Sequence, residues 1–265
     1  MGVVNVTPDS FSDGGRYLDP ERAVGRGLEM IEQGAEIVDV GGESTRPGSR
    51  PVGDKEEMRR VIPVIEKLAA TGEALISVDT TKPSVARAAL EAGAGMINDV
   101  STLRYGSELA ETAAAGGVEL VVMHSRKRPA DMQEDIFYED VVRDVSDELR
   151  KAARRAERAG VPPERIWIDP GIGFAKTDEH NVELLARIGD LTALGYRVIV
   201  GPSRKSFIGR LTGAPVGDRL GGTAAAVAAA VMGGVRAVRV HDVGMMKQAA
   251  AIAREIAIRR VAAHA

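Results

Sequence analysis

The chain of 265 residues contains no cysteine, and this absence excludes three kinds of chemistry. Without thiols there is no disulfide, no thiolate zinc site and no cysteine nucleophile. The absence is compatible with a reducing compartment, and we expect the protein in the cytoplasm. Aromatic residues make up only 3% of the chain. Such an aliphatic composition favours parallel strands covered by helices over a β-sandwich.

Net charge and long apolar runs are also scarce. The net charge of −3 gives no global field that would attract nucleic acid or an anionic membrane. The longest run of small apolar residues, 224–231, is shorter than the ~20 residues of a membrane-spanning helix. The first residues, MGVVNVTPDS, lack the basic stretch and apolar core of a signal peptide. We therefore expect no nucleic-acid partner and no membrane partner, and any anion must be bound locally.

What the chain does contain is a unit of apolar strand, polar loop and helix that recurs along its whole length. The predicted strands are 3–6, 36–40, 75–79, 96–99, 118–124, 166–169, 198–200 and 237–241. Helical patterns lie at about 20–33, 54–70, 107–115, 138–159 and 244–263, and another begins near Pro83. Strands that alternate with helices predict a parallel sheet with right-handed crossovers.

The number of units favours a closed barrel. An open, doubly wound sheet is the alternative, but eight near-equal units without a Gly-x-Gly-x-x-Gly turn after the first strand are typical of the α/β class of (β/α)₈ TIM barrels. No Pro/Ser-rich linker divides the chain. We therefore predict one domain, 1–265.

Polar side chains occupy the predicted strand ends, where such barrels carry their active sites. They are Asn5, Asp39, Asp79, Asn98, His124, Asp169, Ser203, Arg204, Lys205, Arg239 and His241. Carboxylates accept paired N–H groups and an ammonium donates to a ring carbonyl, so Asp79, Asp169 and Lys205 suit a flat heterocycle. Each aspartate could instead be satisfied by a structural partner, such as Lys82 or Lys176. The role of His124 stays open.

The last predicted strand suggests an anion site. Arg239 and His241 alternate, so their side chains point the same way, and phosphate sites near the seventh and eighth strands recur in this architecture. His241 could instead be a core histidine. No zinc-site spacing, HExxH or P-loop pattern occurs. Mg²⁺ held by one oxygen of Asn5 and by substrate phosphates would leave almost no recognisable motif in the sequence. Asn5 could instead cap the first turn.

Two Gly/Pro-rich loops follow the first and second strands, 7–15 and 41–48. Both are long for this architecture, and long loops over an active site often act as lids. Thr45, Arg46 and Pro47 in the second loop would then meet substrate on closure. By composition alone the two loops are simple turns.

Seven segments, in order and across nearly the whole chain, resemble the motif set of the dihydropteroate synthase family. They are NVTPDSFSDGG (5–15), DVGGESTRPG (39–48), SVDT (77–80), IND (97–99), DPGIGFAKT (169–177), GPSRKSFIG (201–209) and RVHDV (239–243). One departure lies after the fifth strand, where Lys127 and Arg128 stand in place of a smaller pair.

The resemblance implies a transferase of folate biosynthesis, which joins 6-hydroxymethyl-7,8-dihydropterin diphosphate to p-aminobenzoate and releases pyrophosphate. It implies catalytic roles for Asp79, Lys205 and Asn5, with Asn5 as the Mg²⁺ ligand. Asp79, Asn98, Asp169 and Lys205 would line the pterin slot, and Thr45, Arg239 and His241 would hold the diphosphate. Thr45, Arg46, Pro47, Phe174 and Ser203 would form the aminobenzoate side, which sulfonamides also occupy. A homodimer is expected.

Two other classes of protein would have the same pterin-binding slot and are alternative interpretations of the sequence. A pterin-binding methyltransferase domain should lack the diphosphate residues. The features that argue against it are therefore Asn5, the run Ser203-Arg204-Lys205, Arg239 and His241. A non-catalytic paralogue should have lost motif residues, which this chain keeps.

Overall fold

The computed structural model describes residues 1–7, 20–44, 49, 51–127 and 136–262. Its strands are β1 (Gly2–Asn5), β2 (Ile37–Gly41), β3 (Leu75–Asp79), β4 (Met96–Asp99), β5 (Glu119–Met123), β6 (Ile166–Asp169), β7 (Arg197–Val200) and β8 (Ala237–Val238). The predicted strands are confirmed, and only the eighth is clearly shorter than expected. Val240 beyond β8 still makes a parallel bridge to Gly2.

The described helices cover the outer side of the sheet. They are α1 (Pro20–Glu32), α2 (Asp54–Ala69), α3 (Pro83–Glu91), α4 (Glu108–Gly116), α5 (Val141–Arg158), α6 (Asp178–Ala186), α7 (Ile188–Thr192), α8 (Ser206–Thr212), α9 (Leu220–Met232) and α10 (Val243–Ala262). The sequence did not predict α6 to α9. The fifth helix starts later than expected, because the Asp140 carboxylate caps it by accepting bonds from the N–H groups of Val142 and Arg143.

The sheet has eight strands in sequential order, and every neighbouring pair is parallel. This is an α/β fold of TIM-barrel-like topology. The register pairs Asn5 with Gly41, Gly41 with Asp79, and Asp79 with Asn98. The carboxyl ends of the first four strands therefore lie level with one another.

The alternation of side chains along the strands separates two apolar layers. One layer packs the sheet against its helices and includes Val38, Val40, Val78 and Ile97. The other is a separate cluster on the inner face, formed by Ile37, Met96, Val121, Trp167 and Ile199. The next inward residues along three of these strands are Asp39, Asn98 and Asp169. A layer of polar side chains therefore lies next to the inner apolar cluster, toward the carboxyl ends of the strands.

Among the described helices, none combines the length and apolarity that crossing a bilayer requires.

Candidate active site

A buried network of charges lies where the strands end. Arg239 donates from Nε to Asp39 Oδ2 at 2.7 Å and from Nη2 to Asp79 Oδ2 at 2.9 Å. Asn98 donates from Nδ2 to the same Asp39 oxygen at 3.1 Å. Asp39 is 0% exposed and Asp79 is 8% exposed. Buried charges need such partners, so the four side chains fix one another.

Asp39 and Asp79 lie close enough to bind the same guanidinium, and repulsion between the two carboxylates raises the energy of the doubly ionised state. Burial and the neighbouring Asp39 carboxylate raise the pKa of Asp79 far above its ordinary value, while Arg239 opposes the shift. Lys82, the structural partner considered from the sequence, instead binds Glu43 and Glu57. The raised pKa favours a proton on Asp79 at neutral pH, and additional positive charge in the site would lower that pKa and favour the ionised carboxylate.

Asp169 is held by a tight turn after β6. Its Oδ1 accepts a hydrogen bond from the Gly171 N–H at 2.7 Å. Gly171 has φ +67°, and a Cβ there would lie 2.1 Å from the His124 carbonyl oxygen. Only glycine fits this position. Burial raises the pKa of Asp169, and the Gly171 bond and the Lys205 charge oppose that rise.

Lys205 lines the same cavity as Asp169 and lies directly before α8. Its Nζ lies 4.1 Å from the centre of the Phe174 ring, within range of a cation–π interaction. Burial and the charge of Arg239 lower the pKa of Lys205 to about 8. The ammonium is thus poorly hydrated and suited to donate to a ligand carbonyl.

Ser203 and His241 form a second polar pair on the rim. Ser203 Oγ lies 3.0 Å from His241 Nδ1 and accepts a bond from the His241 backbone N–H at 3.2 Å. Burial and the charge of Arg239 lower the pKa of His241 to about 4, so its ring is neutral at pH 7. With the hydroxyl donating to Nδ1, the proton of the ring resides on Nε2. His241 is therefore a neutral donor rather than a cation.

A narrow cavity joins several of these groups. It is lined by Asp79, Asn98, Val100, Met123, Asp169, Gly171, Ile172, Phe174, Gly201, Lys205 and Arg239. Two wider cavities, of about 460 and about 630 Å³, lie against the outer helices and contain none of the predicted site residues. We place the site in the narrow cavity because titratable groups with shifted pKa values converge there.

Asn5 lies at the end of β1, partly exposed and level with Gly41. It does not line the narrow cavity, and neither Ser203 nor His241 does. Within the described parts of the chain, no group of three or more His, Cys, Asp or Glu side chains could hold a metal ion. Thr45, Arg46 and Pro47 lie outside the described residues.

Comparison with known proteins identifies the family. Residues 1–241 match the model of the pterin binding enzymes. A dihydropteroate synthase of Mycobacterium leprae is 48% identical over 250 residues, which are 92% of this chain and 88% of that protein. The chain belongs to the dihydropteroate synthase family.

Solved structures of the family agree with this assignment. Dihydropteroate synthase of Xanthomonas albilineans, determined with 4-aminobenzoic acid, superposes with a TM-score of 0.89 at 46% identity and covers 97% of this chain and 92% of its own. That of Yersinia pestis, in a sulfonamide drug complex, gives 0.91 at 38% identity and covers 97% and 93%.

The sequence left two features of this family member without a role. Asp39 was noticed as a strand-end residue, but nothing indicated that it would share Arg239 with Asp79. The alternation of side chains along the strand puts Asp39 on the same inner face as Ile37, and this alternation could have predicted that Asp39 points into the site. The second feature is Lys176, which was weighed as a partner for Asp169. Its Nζ instead binds the Phe174 carbonyl and faces His124, residues that no local pattern pairs.

Proposed function

We infer that the protein acts as a dihydropteroate synthase, a transferase of folate biosynthesis. It joins 6-hydroxymethyl-7,8-dihydropterin diphosphate to p-aminobenzoate and yields 7,8-dihydropteroate and pyrophosphate. The observation that carries this function is the cavity in which Asp79, Asn98, Asp169 and Lys205 converge. Membership of the pterin-binding family supports it, as does the 4-aminobenzoic acid complex of the Xanthomonas relative.

The dihydropterin occupies the narrow cavity. Asp169 accepts N–H groups from the amidine-like edge of the ring, and Lys205 donates to the ring carbonyl. Asn98 can offer both a donor and an acceptor, although its Nδ2 is already bound to Asp39. Asp79 also lines the cavity, and its pKa is raised. This distribution recognises a ring with donors on one edge and acceptors on another.

The aminobenzoate side is formed by Phe174 and Ser203. Phe174 supplies an aromatic wall that is 9% exposed, and Ser203 supplies a hydroxyl on the rim. We add Thr45, Arg46 and Pro47 from the sequence motif. Sulfonamides resemble p-aminobenzoate and compete for the same place, a proposal supported by the sulfonamide complex of the Yersinia relative.

Arg239 and His241, together with Thr45, bind the diphosphate. Arg239 uses Nε and Nη2 for the two aspartates, so Nη1 is the group that would bind a phosphate oxygen. His241 offers a neutral Nε2–H. A fixed donor and a fixed cation stabilise the charge that grows on the leaving diphosphate.

The donor set at β1 fits Mg²⁺ as a substrate-borne ion. Mg²⁺ prefers oxygen ligands and usually combines one or two protein oxygens with substrate phosphates and water. Asn5 offers one amide oxygen at the strand ends, and no dedicated cage of acidic side chains occurs in the described residues. Asn5 would therefore hold the ion, which when bound supplies positive charge to the diphosphate.

The reaction needs no protein nucleophile. The bond between the pterin methylene carbon and the diphosphate oxygen breaks, and its electron pair leaves with pyrophosphate. The carbon becomes electron-deficient, and ionised Asp79 and Asp169 stabilise the charge that spreads into the ring. The neutral amine of aminobenzoate then attacks the carbon and loses a proton. Asp79, with its raised pKa, is the group best able to accept a proton within the cavity.

We also propose that the sheet closes into a (β/α)₈ barrel and that residues 1–265 form one domain. Two hydrogen bonds support closure: Val3 N–H donates to Val240 C=O at 3.1 Å, and Val240 N–H donates to Met1 C=O at 2.9 Å. The continuous apolar layer between the sheet and its helices supports a single domain.

Two further proposals concern the setting of the enzyme. We propose a homodimer through α10, whose exposed side chains include Met245, Ile252 and Ile256. We propose a cytoplasmic location, which the cysteine-free sequence supports. Cell fractionation with an antibody against the protein tests the location.

The function is tested by incubating the purified protein with the dihydropterin diphosphate and p-aminobenzoate, with and without Mg²⁺. We expect dihydropteroate by chromatography, in amounts that fall when EDTA is added and recover with excess Mg²⁺. Binding of the pterin without any product would instead favour the non-catalytic paralogue.

A further inference from the structure

Lys176 is a buried cation that the reaction above does not use. Its side chain is 1% exposed, and it is among the largest fully buried side chains of the described residues. Its Nζ has two direct contacts, His124 Nδ1 at 3.1 Å and the Phe174 carbonyl oxygen at 2.9 Å. Burying a lysine ammonium costs free energy unless it is hydrogen-bonded, so these two contacts are needed to stabilise it.

His124 is arranged to receive a proton donor. Its ring is 0% exposed, and its Nε2 lies 2.9 Å from Glu148 Oε2. Burial lowers the pKa of His124 to about 4, so the ring is neutral. With Nε2–H donating to Glu148, Nδ1 is an acceptor and Lys176 is its donor. Arg126 secures Glu148 from the solvent side at 2.7 Å.

The other contact of Lys176 holds a turn that is strained on its own. Between β6 and α6, Gly171, Gly173 and Ala175 have φ values of +67°, +81° and +48°. For Ala175 this conformation is costly and persists only when surrounding groups hold it. The Lys176 ammonium binds the Phe174 carbonyl within this turn, and the Tyr138 hydroxyl donates to the next carbonyl at 3.0 Å.

Both ends of the turn reach the active site. Asp169 precedes it and lines the cavity, and Phe174 packs its ring against Lys205. Lys176 also adds positive charge near Asp169: with Lys205 and Arg239 it lowers the pKa that burial raises. Burial lowers the pKa of Lys176 itself to about 7, so the ammonium is fully present only below that pH; among its charged neighbours, Asp169 and Glu148 raise this pKa, and Arg126 and Lys205 lower it.

We propose that Lys176, held by His124, is a positioning residue for the dihydropterin: its ammonium clamps the turn that carries Asp169 and Phe174. The proposal rests on the proposed function, because it takes the dihydropterin as the ligand of this cavity.

The first test compares Lys176→Met with Lys151→Met, which removes an exposed lysine of α5. Binding of 6-hydroxymethyl-7,8-dihydropterin diphosphate is measured by calorimetry, without p-aminobenzoate, on protein shown to be folded by circular dichroism. We expect Lys176→Met to weaken binding roughly tenfold or more, the effect of losing a charged hydrogen bond. Lys151→Met should bind like the wild type.

The pH dependence separates positioning from simple stability. Removing the Lys176 charge raises the pKa of Asp169, so the acid limb of kcat/KM for the pterin should move to higher pH. A merely structural lysine would lower the melting temperature and leave both the Kd and the acid limb unchanged in the folded protein. That result would overturn the proposal.

Two substitutions of His124 test the proposal if Lys176→Met does not fold. In His124→Asn the amide oxygen can take the place of Nδ1 and still accept from Lys176, whereas His124→Gln keeps only the contact with Glu148. We expect Gln to weaken pterin binding and Asn to preserve most of it. Equal affinities in the two variants would contradict the proposal. A wild type that binds the pterin without turnover would refute the synthase function and leave this binding comparison intact.

Discussion

Two buried aspartates at the strand ends differ in what satisfies them. Asp79 is bound by Arg239, a cation that it shares with Asp39, whereas Asp169 is bound by the backbone of its own turn. Asp79 is consequently the carboxylate that responds most to charge in the cavity. Asp169 has a fixed orientation and is suited to recognition.

Asp169→Asn should weaken binding of the dihydropterin diphosphate by roughly 10- to 100-fold, because one acceptor oxygen of a charged pair is replaced by an amide donor. The fold should survive, since the Gly171 N–H can still bind the remaining oxygen. Calorimetry measures the affinity, with Asp190→Asn, an exposed change on α7, as the control. An affinity equal to the wild type would remove Asp169 from the pterin site.

Lys205 should give the reaction an alkaline limit. Burial lowers its pKa to about 8, so the ammonium is present below that pH and is lost as the pH rises through it. We expect kcat/KM for the dihydropterin diphosphate to fall between about pH 7 and pH 9 in the wild type. In Lys205→Ala activity should be low throughout, without this limb. A limb at pH 8 that survives in the variant would belong to another group.

Among the elements, the turn between β6 and α6 places the strictest steric requirement on its sequence. Gly171 combines a positive φ with a backbone oxygen where a Cβ would stand. Gly213, after α8, has φ +74° and no atom within 4 Å of an added Cβ. Alanine substitutions at Gly213 and Gly171 therefore separate the free-energy cost of the backbone conformation from the free-energy cost of the steric clash.

Gly213→Ala should lower the free energy of unfolding by about 1–2 kcal/mol, the cost of a left-handed conformation. Gly171→Ala should lower it by more and also weaken pterin binding, because the turn must move away from His124. Urea unfolding and calorimetry measure the two effects. If both variants lost the same stability and kept their pterin affinity, the turn would not position Asp169.

Most of the strands were predictable from the sequence, because buried parallel strands are continuous apolar runs between turn residues. The helices α6 to α9 were not predicted: α6 and α9 have weak amphipathic character, and α7 and α8 are short. The strand ends located Asp79, Asn98, Asp169 and Lys205. Partners such as His124 and Lys176 are 52 residues apart, and no local pattern reports such a pair.

For the whole molecule, α10 presents an apolar face that the described residues do not cover. Ile252 is 65% exposed, and Met245 and Ile256 lie seven residues before it and four after it, on the same side of the helix. Ile252→Glu should convert a dimer into monomers in sedimentation at micromolar concentration. Leu28→Glu on α1 is the control. A wild type that sediments as a monomer would refute the dimer.

The stoichiometry of the two products tests the synthase function most directly. With the dihydropterin diphosphate, p-aminobenzoate and Mg²⁺, pyrophosphate and dihydropteroate should appear in equal amounts, and Asp169→Asn and Lys205→Ala should reduce both together. Pyrophosphate without dihydropteroate would mean that water, not the amine, is the acceptor. Wild-type turnover in both variants would show that the strand-end cavity is not the active site.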